Sequence, residues 1–226
     1  MTLSEELIWR GFSAETTIKD PKFLDEAPHK FYFGADPSAD SLTIGNLAAL
    51  MMCAVFARHG YTPHLLVGGA PGQIGDPKDT EERILKPLEE VEFNKVCIAR
   101  QMKSVLENAC DGCKNAQLAA KNLKVIDNLD WFGDFKYLEF LREVGKNFSM
   151  TQLMDRKFIK SRMGEGGSGI SYAEFSYTLI QGYDFYHLYK KYGIDLQLCG
   201  ADQYGNCTSG IHLLRSYQTA PEDRCC

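Results

Sequence analysis

The chain has 226 residues, of which 44% are hydrophobic and 24% charged, a composition typical of a globular protein with one main domain. Its formal net charge of −5 excludes a protein that attracts nucleic acid through overall charge, so RNA contact requires a local basic patch. No apolar run is long enough to cross a membrane, and residues 1–6 lack the pattern of a targeting peptide, so a cytoplasmic location is expected.

The first predicted elements are a strand over residues 30–33 and a helix over residues 47–57. The aromatic strand residues suit a sheet, Gly34 lets the backbone leave it, and Pro37 ends pairing. Four side chains offer oxygens that can cap the helix: Ser38, Asp40, Ser41 and Thr43. A helix start below such a turn presents N–H groups to an anion such as ATP phosphate. Local chemistry alone favours an ordinary strand-to-helix connection that binds nothing.

Strand-like and helix-like segments alternate along the remaining chain, which predicts an α/β fold with a parallel sheet flanked by helices. Further strands are predicted over residues 62–67, 123–128 and 195–199. Further helices are predicted over residues 78–90, 135–144 and 171–191, and residues 162–169 are predicted to form a flexible loop.

Eight cysteines raise the question of a metal site or disulfides. Cys110 and Cys113 have the spacing of half a zinc knuckle, but no second Cys/His pair follows at the required spacing. We therefore expect free thiols and no structural metal. Cys53 in the helical run and Cys199 in the last predicted strand fit small buried apolar residues, and the pair at residues 225–226 is given no role.

Three predicted strands end in loops rich in Gly and Asp, over residues 34–40, 68–76 and 200–203. In an open α/β sheet, ligands bind at the carboxyl ends of the strands, near the switch in strand order. We therefore expect these loops to form one polar crevice. The side chains it would gather are Asp36, Asp76, Asp202 and Gln203.

Residues 32–42 read Tyr-x-Gly-x-Asp-Pro-Ser-Ala-Asp-Ser-Leu, which resembles the first signature of bacterial-type tyrosyl-tRNA synthetases, members of class I of the aminoacyl-tRNA synthetases. Residues 66–77, 128–133, 140–149, 174–184 and 200–206 resemble further segments of that family. The resemblance implies a Rossmann-like catalytic domain over residues 1–226, with a mostly helical connecting insertion at about 130–175.

The resemblance also implies the substrates L-tyrosine, ATP with Mg2+, and tRNA(Tyr). Tyr177, Gln181 and Asp184 are spaced i, i+4 and i+7, which places them on one helix face. By resemblance, the residues that bind tyrosine are Tyr32, Asp76, Tyr177, Gln181, Asp184, Gln197 and Gln203. Those that bind ATP are Gly34, Asp36, Gly45, Asn46, Gly200 and Asp202. Ser38, Thr43 and Asn46 are the implied catalytic residues, with Ser38 and Thr43 facing the departing pyrophosphate.

The sequence departs from the family pattern at the start of the first long helix. Thr43 and Asn46 stand where the family usually has histidines. Lys78 and Arg83 lie in a region that resembles a shortened form of the family's mobile phosphate loop. The chain ends at Cys226, before any segment that resembles the Lys-x-x-Lys-Ser loop or the C-terminal tRNA-binding domains, so tyrosine binding without full aminoacylation is expected of it.

Two other functions fit the same residues. One is a non-catalytic tyrosine- or nucleotide-binding module with this fold, and the other is a tryptophan-specific relative. The related tryptophanyl enzymes share the architecture but lack the combination of Tyr32 with the helix set at 177, 181 and 184. The resemblance further implies a homodimer, with Phe148 and Tyr172 as candidate interface residues.

Overall fold

The computed structural model describes residues 1–75, 85–154, 157–164 and 167–219. The strands are β1 (Lys30–Ala35), β2 (Thr62–Val67), β3 (Lys124–Asp127) and β4 (Leu196–Leu198). The helices are α1 (Leu3–Trp9), α2 (Phe23–Glu26), α3 (Ile44–Arg58), α4 (Leu88–Ala109), α5 (Lys114–Lys121), α6 (Leu129–Phe132), α7 (Tyr137–Glu143), α8 (Met150–Met154), α9 (Lys157–Met163), α10 (Tyr172–Tyr192) and α11 (Tyr204–Thr219).

The four strands form one parallel sheet in the order β3-β2-β1-β4, as the α/β prediction requires. The chain passes from β1 outward to β3 and then returns to the other side of β1, so the switch in strand order lies between β1 and β4. Phe31 and Phe33 point to one face, where they pack with α1, α3, α4 and α5. Tyr32 points to the opposite face and packs with α10.

The predicted strand over residues 62–67 is confirmed at both ends. β1 continues to Ala35, so Gly34 lies within the strand and does not end it. α3 begins three residues earlier than predicted, because Thr43 forms its N-cap. The predicted helix over residues 171–191 is confirmed as α10, where Ser171 and Glu174 form a capping box.

The predicted helix over residues 78–90 is wrong for residues 85–87 and confirmed for residues 88–90; residues 78–84 lie outside the described part. Residues 85–87 are not helical, and α4 begins at Leu88. Pro87 occupies the N-cap with an extended ψ of 140°. A proline disfavours helical backbone at the residue before it, so the helix starts after the proline and runs on to Ala109, a length the sequence did not predict.

Several non-local contacts correct other predictions. Arg162 was placed in a flexible loop, but it lies in α9 and is only 3% exposed. Its guanidinium forms a two-pronged ion pair with Glu174 of α10, and it also donates to the Gly169 carbonyl. Cys199 lies just after β4 and is half-buried, so the prediction of a buried strand residue was wrong there. Cys53 is fully buried, as predicted.

The described residues hold no helix with the length and apolar character needed to cross a membrane. The six cysteines within them carry free thiols. Their His, Cys, Asp and Glu side chains form no group of three that could hold a metal ion. The stretch predicted as a connecting insertion, at about 130–175, contains α7, α8 and α9, and its status as an insertion stays a prediction.

Candidate active site

A cavity of about 620 Å³ opens at the carboxyl ends of β1 and β4, where the strand order switches. This is where an open parallel sheet binds ligands. Every predicted site residue within the described part of the chain lines it: Tyr32, Gly34, Asp36, Ser38, Thr43, Gly45, Asn46, Tyr177, Gln181, Asp184, Gln197, Gly200, Asp202 and Gln203. Asp76, Lys78 and Arg83 lie outside the described residues.

One wall of the cavity is a face of α10. Tyr177, Gln181 and Asp184 all reach the cavity from this helix, as their spacing predicts. Tyr32 reaches it from β1, and Gln197 sits beside Tyr32 in the register of β1 with β4. Tyr32 and Asp184 are 1% and 3% exposed, so the deep end of the cavity is polar and shielded from bulk solvent.

The Asp184 carboxylate is held by two donors that the sequence did not predict as site residues. Asn128 donates from Nδ2 to Asp184 Oδ2 at 3.0 Å, and Trp131 donates from Nε1 to Asp184 Oδ1 at 3.1 Å. Burial raises the pKa of Asp184 well above its usual value, and these two hydrogen bonds act in the opposite direction. The Trp131 ring stacks on His187 at 4.3 Å, which fixes the indole. The carboxylate is therefore rigid, and a ligand donor can approach only from the cavity.

Two buried polar atoms that belong to cavity residues have no hydrogen-bond partner among the described residues. They are the Tyr32 hydroxyl and Gln181 Oε1. Burial raises the pKa of Tyr32, so its hydroxyl stays protonated and acts as a donor at neutral pH. A buried polar atom without a partner costs about 1–3 kcal/mol. The cavity is therefore prepared for a ligand that offers an acceptor near Tyr32 and a donor near Gln181.

The opposite wall is the loop over residues 36–43 and the start of α3. Thr43 and Asn46 form a capping box: the Asn46 N–H donates to Thr43 Oγ1, and the Thr43 N–H donates to Asn46 Oδ1 at 3.0 Å. The capping box leaves the Nδ2 donors of Asn46 uninvolved. The first N–H groups and the positive end of the helix dipole lie beside the cavity, which suits a phosphate group.

The third wall follows β4. Asp202 Oδ2 accepts a hydrogen bond from Gln203 Nε2 at 3.2 Å, and Asn206 Nδ2 donates to Gln203 Oε1 at 3.0 Å. A Cβ on Gly200 would come within 2.4 Å of Asp202 Oδ1, so a larger residue there would require the Asp202 side chain to turn away.

The wall formed by α10 and the wall formed by the loop after β1 are joined directly. The Tyr177 hydroxyl donates to Asp36 Oδ2 at 2.9 Å. On the other side of Asp36, a Cβ on Gly68 would come within 2.0 Å of its Oδ1. Any larger residue at Gly68 would displace the carboxylate that Tyr177 binds. The loops after β1 and β2 and the helix α10 thus meet at Asp36. The third predicted loop, residues 200–203, lines the same cavity.

The family model described as tRNA synthetases class I (W and Y) matches residues 24–224. The chain belongs to this family. Among its relatives, the tyrosine–tRNA ligase of Phytoplasma australiense is 40% identical over 223 residues, which cover 97% of this chain and 50% of the relative. That of Amoebophilus asiaticus (strain 5a2) is 43% identical over 211 residues, which cover 92% of this chain and 47% of the relative. The chain thus spans about half the length of these relatives.

The fold agrees with this class I synthetase membership. A C-terminally truncated mitochondrial tyrosyl-tRNA synthetase from Aspergillus nidulans superposes with a TM-score of 0.83 at 27% identity, covering 98% of this chain and 63% of that chain. A similarly truncated enzyme from Coccidioides posadasii gives a TM-score of 0.80 at 26% identity, covering 97% of this chain and 61% of that chain. The parallel sheet with flanking helices is the class I synthetase fold.

A second cavity, of about 420 Å³, lies beside the outer edge of β4, between α10, α11 and the N-terminal segment. Its lining is mainly apolar and includes Phe56, Phe185, Leu196 and Leu214. The predicted carboxylates within the described residues, Asp36, Asp184 and Asp202, do not line it. The polar cavity at the switch point is therefore the candidate active site of this class I synthetase chain.

Proposed function

We propose that this chain binds L-tyrosine and ATP and activates the amino acid as tyrosyl-adenylate, and that in the whole protein the tyrosyl group then passes to tRNA(Tyr). The observation that carries the proposal is the polar deep end of the cavity, where the Tyr32 hydroxyl has no partner among the described residues and lies beside the Asp184 carboxylate that Asn128 and Trp131 hold. A phenol group both accepts and donates, so one tyrosine hydroxyl can pair with both. A phenylalanine ring can pair with neither.

The rest of the tyrosine fits the face of α10 nearer the opening. Its ammonium group would donate to Gln181 Oε1, the second atom without a partner in the described part of the chain, with Tyr177 beside it. Asp76 is the proposed further partner of the ammonium. The carboxylate end then points towards the loop over residues 36–43, where the α-phosphate of ATP has to lie. Gln197 and Gln203 complete the tyrosine side of the cavity.

In the proposed reaction a tyrosine carboxylate oxygen attacks the α-phosphorus, and the bond from phosphorus to the pyrophosphate oxygen breaks as pyrophosphate leaves with the electron pair. ATP would enter with Mg2+. Gly34, Asp36, Gly45, Gly200 and Asp202 would contact the nucleotide. The Ser38 hydroxyl, the Asn46 amide and the N-terminus of α3 would stabilise charge on the departing pyrophosphate. The Thr43 hydroxyl donates to Asn46 Oδ1 at 2.7 Å in this structure and would have to turn to join them. Catalysis then comes from positioning and charge stabilisation.

The test is tyrosine-dependent exchange of labelled pyrophosphate into ATP. We expect exchange with tyrosine, none with phenylalanine, and loss of exchange in Asp184→Ala. Tyr189→Phe on the same helix is the matched control, because Tyr189 is 38% exposed and lies outside the site. Tyrosine binding without exchange would support the non-catalytic module. Exchange that prefers tryptophan would support the tryptophan-specific relative.

We also propose a homodimer in the cytoplasm. Tyr172 and Tyr137 interact with each other on the surface of the molecule and are 60% and 62% exposed, and Leu138 beside them is 76% exposed. Phe148 packs inward against Gly182, so Tyr172 is the more informative of the two candidate interface residues. Sedimentation velocity at micromolar concentration should show a dimer that Tyr172→Lys shifts towards monomer. A wild-type monomer at that concentration would contradict the proposal.

A further inference from the structure

The loop over residues 36–43, which forms the nucleotide side of the cavity, is held by two amide side chains of α4. The Leu42 N–H donates to Gln101 Oε1 at 3.0 Å, and Gln101 Nε2 donates to the Asp40 carbonyl at 2.7 Å. Asn94 Nδ2 donates to the Pro37 carbonyl at 3.2 Å. Three backbone groups spread along the loop are thus bound by one helix.

The two side chains suit this role. They are seven residues apart, so they lie on the same face of α4, two turns from each other. Asn94 is 3% exposed, and its amide would lose a hydrogen bond if the loop moved away. Gln101 pairs with one donor and one acceptor of the loop at the same time, because its amide carries both an acceptor and a donor. A side chain that is hydrophobic, or that only donates or only accepts, cannot do this.

The loop over residues 36–43 contains groups that would contact the phosphates of ATP. Ser38 follows the Pro37 carbonyl that Asn94 holds, and Thr43 follows the Leu42 N–H that Gln101 holds. Both Ser38 and Thr43 line the cavity, whereas Asn94 and Gln101 do not. The two amides therefore act on the site only through the loop.

We propose that Asn94 and Gln101 are positioning residues for the nucleotide, which hold the loop in the conformation that binds the phosphates of ATP. The inference rests on the proposed function, because it assigns ATP to this wall. It predicts a larger effect on one substrate: ATP binding weakens when the amides are removed, and tyrosine binding changes little, since the described residues assigned to tyrosine come from β1, α10, β4 and the turn after β4.

α4 also carries a side chain, Lys95, that supports the tyrosine side of the cavity. Lys95 Nζ lies 2.7 Å from Asp127 Oδ2, at the end of β3. Asp127 Oδ1 accepts from the Leu129 N–H at 2.9 Å, which orders the turn that carries Asn128 and Trp131 behind Asp184. A Lys95 variant should therefore disturb the tyrosine side. The same helix thus offers variants for both walls.

The experiment uses the 226-residue chain with Gln101→Met and Asn94→Leu, which keep the size and remove the amide. Hydrogen exchange followed by mass spectrometry reports the Leu42 amide, and calorimetry reports ATP and tyrosine affinity separately. We expect faster exchange at Leu42 in Gln101→Met and an ATP affinity lower by about three- to tenfold in each variant. Tyrosine affinity should stay within about twofold. Lys95→Met should lower the affinity for tyrosine and leave the affinity for ATP unchanged.

The controls separate positioning from general loss of stability. Gln101→Glu retains an acceptor for the Leu42 N–H and should restore protection of that amide. Lys103→Met, on the same helix with a 55% exposed side chain, should change neither affinity. The inference is overturned if Leu42 exchange is unchanged in Gln101→Met, if ATP affinity is unchanged, or if both affinities fall equally. A wild-type chain that binds no ATP overturns the proposed function as well.

Discussion

The Tyr177 hydroxyl donates to Asp36 Oδ2 at 2.9 Å and so connects α10 with the loop that follows β1. Tyr177 belongs to the proposed tyrosine side and Asp36 to the proposed ATP side. The two substrate sites therefore share a hydrogen bond near the point where the carboxylate of tyrosine must meet the α-phosphate. This geometry predicts that the two residues do not act independently.

Tyr177→Phe should lower tyrosine affinity and also weaken ATP binding, because Asp36 loses a donor that orients it. In a double-mutant cycle with Asp36→Asn, the coupling energy for adenylate formation should be about 0.5–3 kcal/mol, the range for directly contacting residues. Pyrophosphate exchange on the four proteins of the cycle measures it. Additive effects of the two substitutions would contradict a functional link between them.

Tyr32→Phe should affect binding and stability in opposite directions. The substitution removes a buried hydroxyl that has no partner among the described residues, so the free energy of unfolding should stay the same or rise by about 1 kcal/mol. Tyrosine affinity should fall by about tenfold, because the substrate phenol loses a donor. Tyr61→Phe is the matched control. The buried Tyr61 hydroxyl donates to the Leu24 carbonyl at 2.8 Å, so its removal should lower the free energy of unfolding. Chemical denaturation and calorimetry measure both quantities. Equal loss of stability in the two variants would exclude a ligand-directed role for the Tyr32 hydroxyl.

Trp131→Phe should weaken tyrosine binding alone. It keeps an aromatic ring for the stack on His187 and removes the Nε1 donor to Asp184 Oδ1. With one donor fewer, the pKa of Asp184 rises further and the carboxylate is less firmly oriented. Separate Michaelis constants for tyrosine and ATP in pyrophosphate exchange should show an increase for tyrosine only. An equal increase for ATP would point to general disorder of the cavity.

Local patterns predicted much of this site, because its loops follow directly from strands whose residues are apolar and contiguous. The spacing of Tyr177, Gln181 and Asp184 predicted that they share one face of a helix. The three Gly/Asp loops line one cavity, as expected. Asn128 and Trp131 were not predicted as site residues, although both lie in a segment that resembles the family. Their role depends on a contact with Asp184, more than 50 residues further along the chain. The one available signal was an asparagine at the carboxyl end of a predicted strand.

The wrong predictions share a physical cause, which is that composition does not report a distant partner. Residues 162–169 are rich in glycine and suggest a loop, yet Arg162 is buried by its ion pair with Glu174. The sequence offered Thr43 as a helix cap, but the return hydrogen bond to Asn46 was not predicted, and the catalytic role of both residues stays a prediction. Gln101 and Asn94 belong to a helix whose extent the sequence did not predict. The hydrogen bonds that hold the loop over residues 36–43 therefore became visible only in the folded chain.

Glu6 should contribute to the pH dependence of stability near pH 4. Its carboxylate, 10% exposed, accepts from Arg10 at 2.7 Å and Arg58 at 3.0 Å and contacts His59 Nε2 at 2.8 Å. Burial raises the pKa of Glu6, but the hydrogen bonds from His59, Arg10 and Arg58 outweigh it and hold the pKa at about 2, below the usual 4.5. The folded pKa is depressed, so the stabilisation is complete above pH 4.5 and is lost as the pH falls towards 2.

Glu6→Gln should therefore lower the free energy of unfolding by about 2–3 kcal/mol at pH 7, and the difference from wild type should shrink steadily between pH 4.5 and pH 2. Glu107→Gln is the control, because Glu107 is 46% exposed and 3.9 Å from Lys103, a geometry worth under about 1 kcal/mol. Urea denaturation at a series of pH values measures both variants. A difference for Glu6→Gln that stays constant from pH 7 to pH 3 would mean that Glu6 contributes through packing and not through its charge.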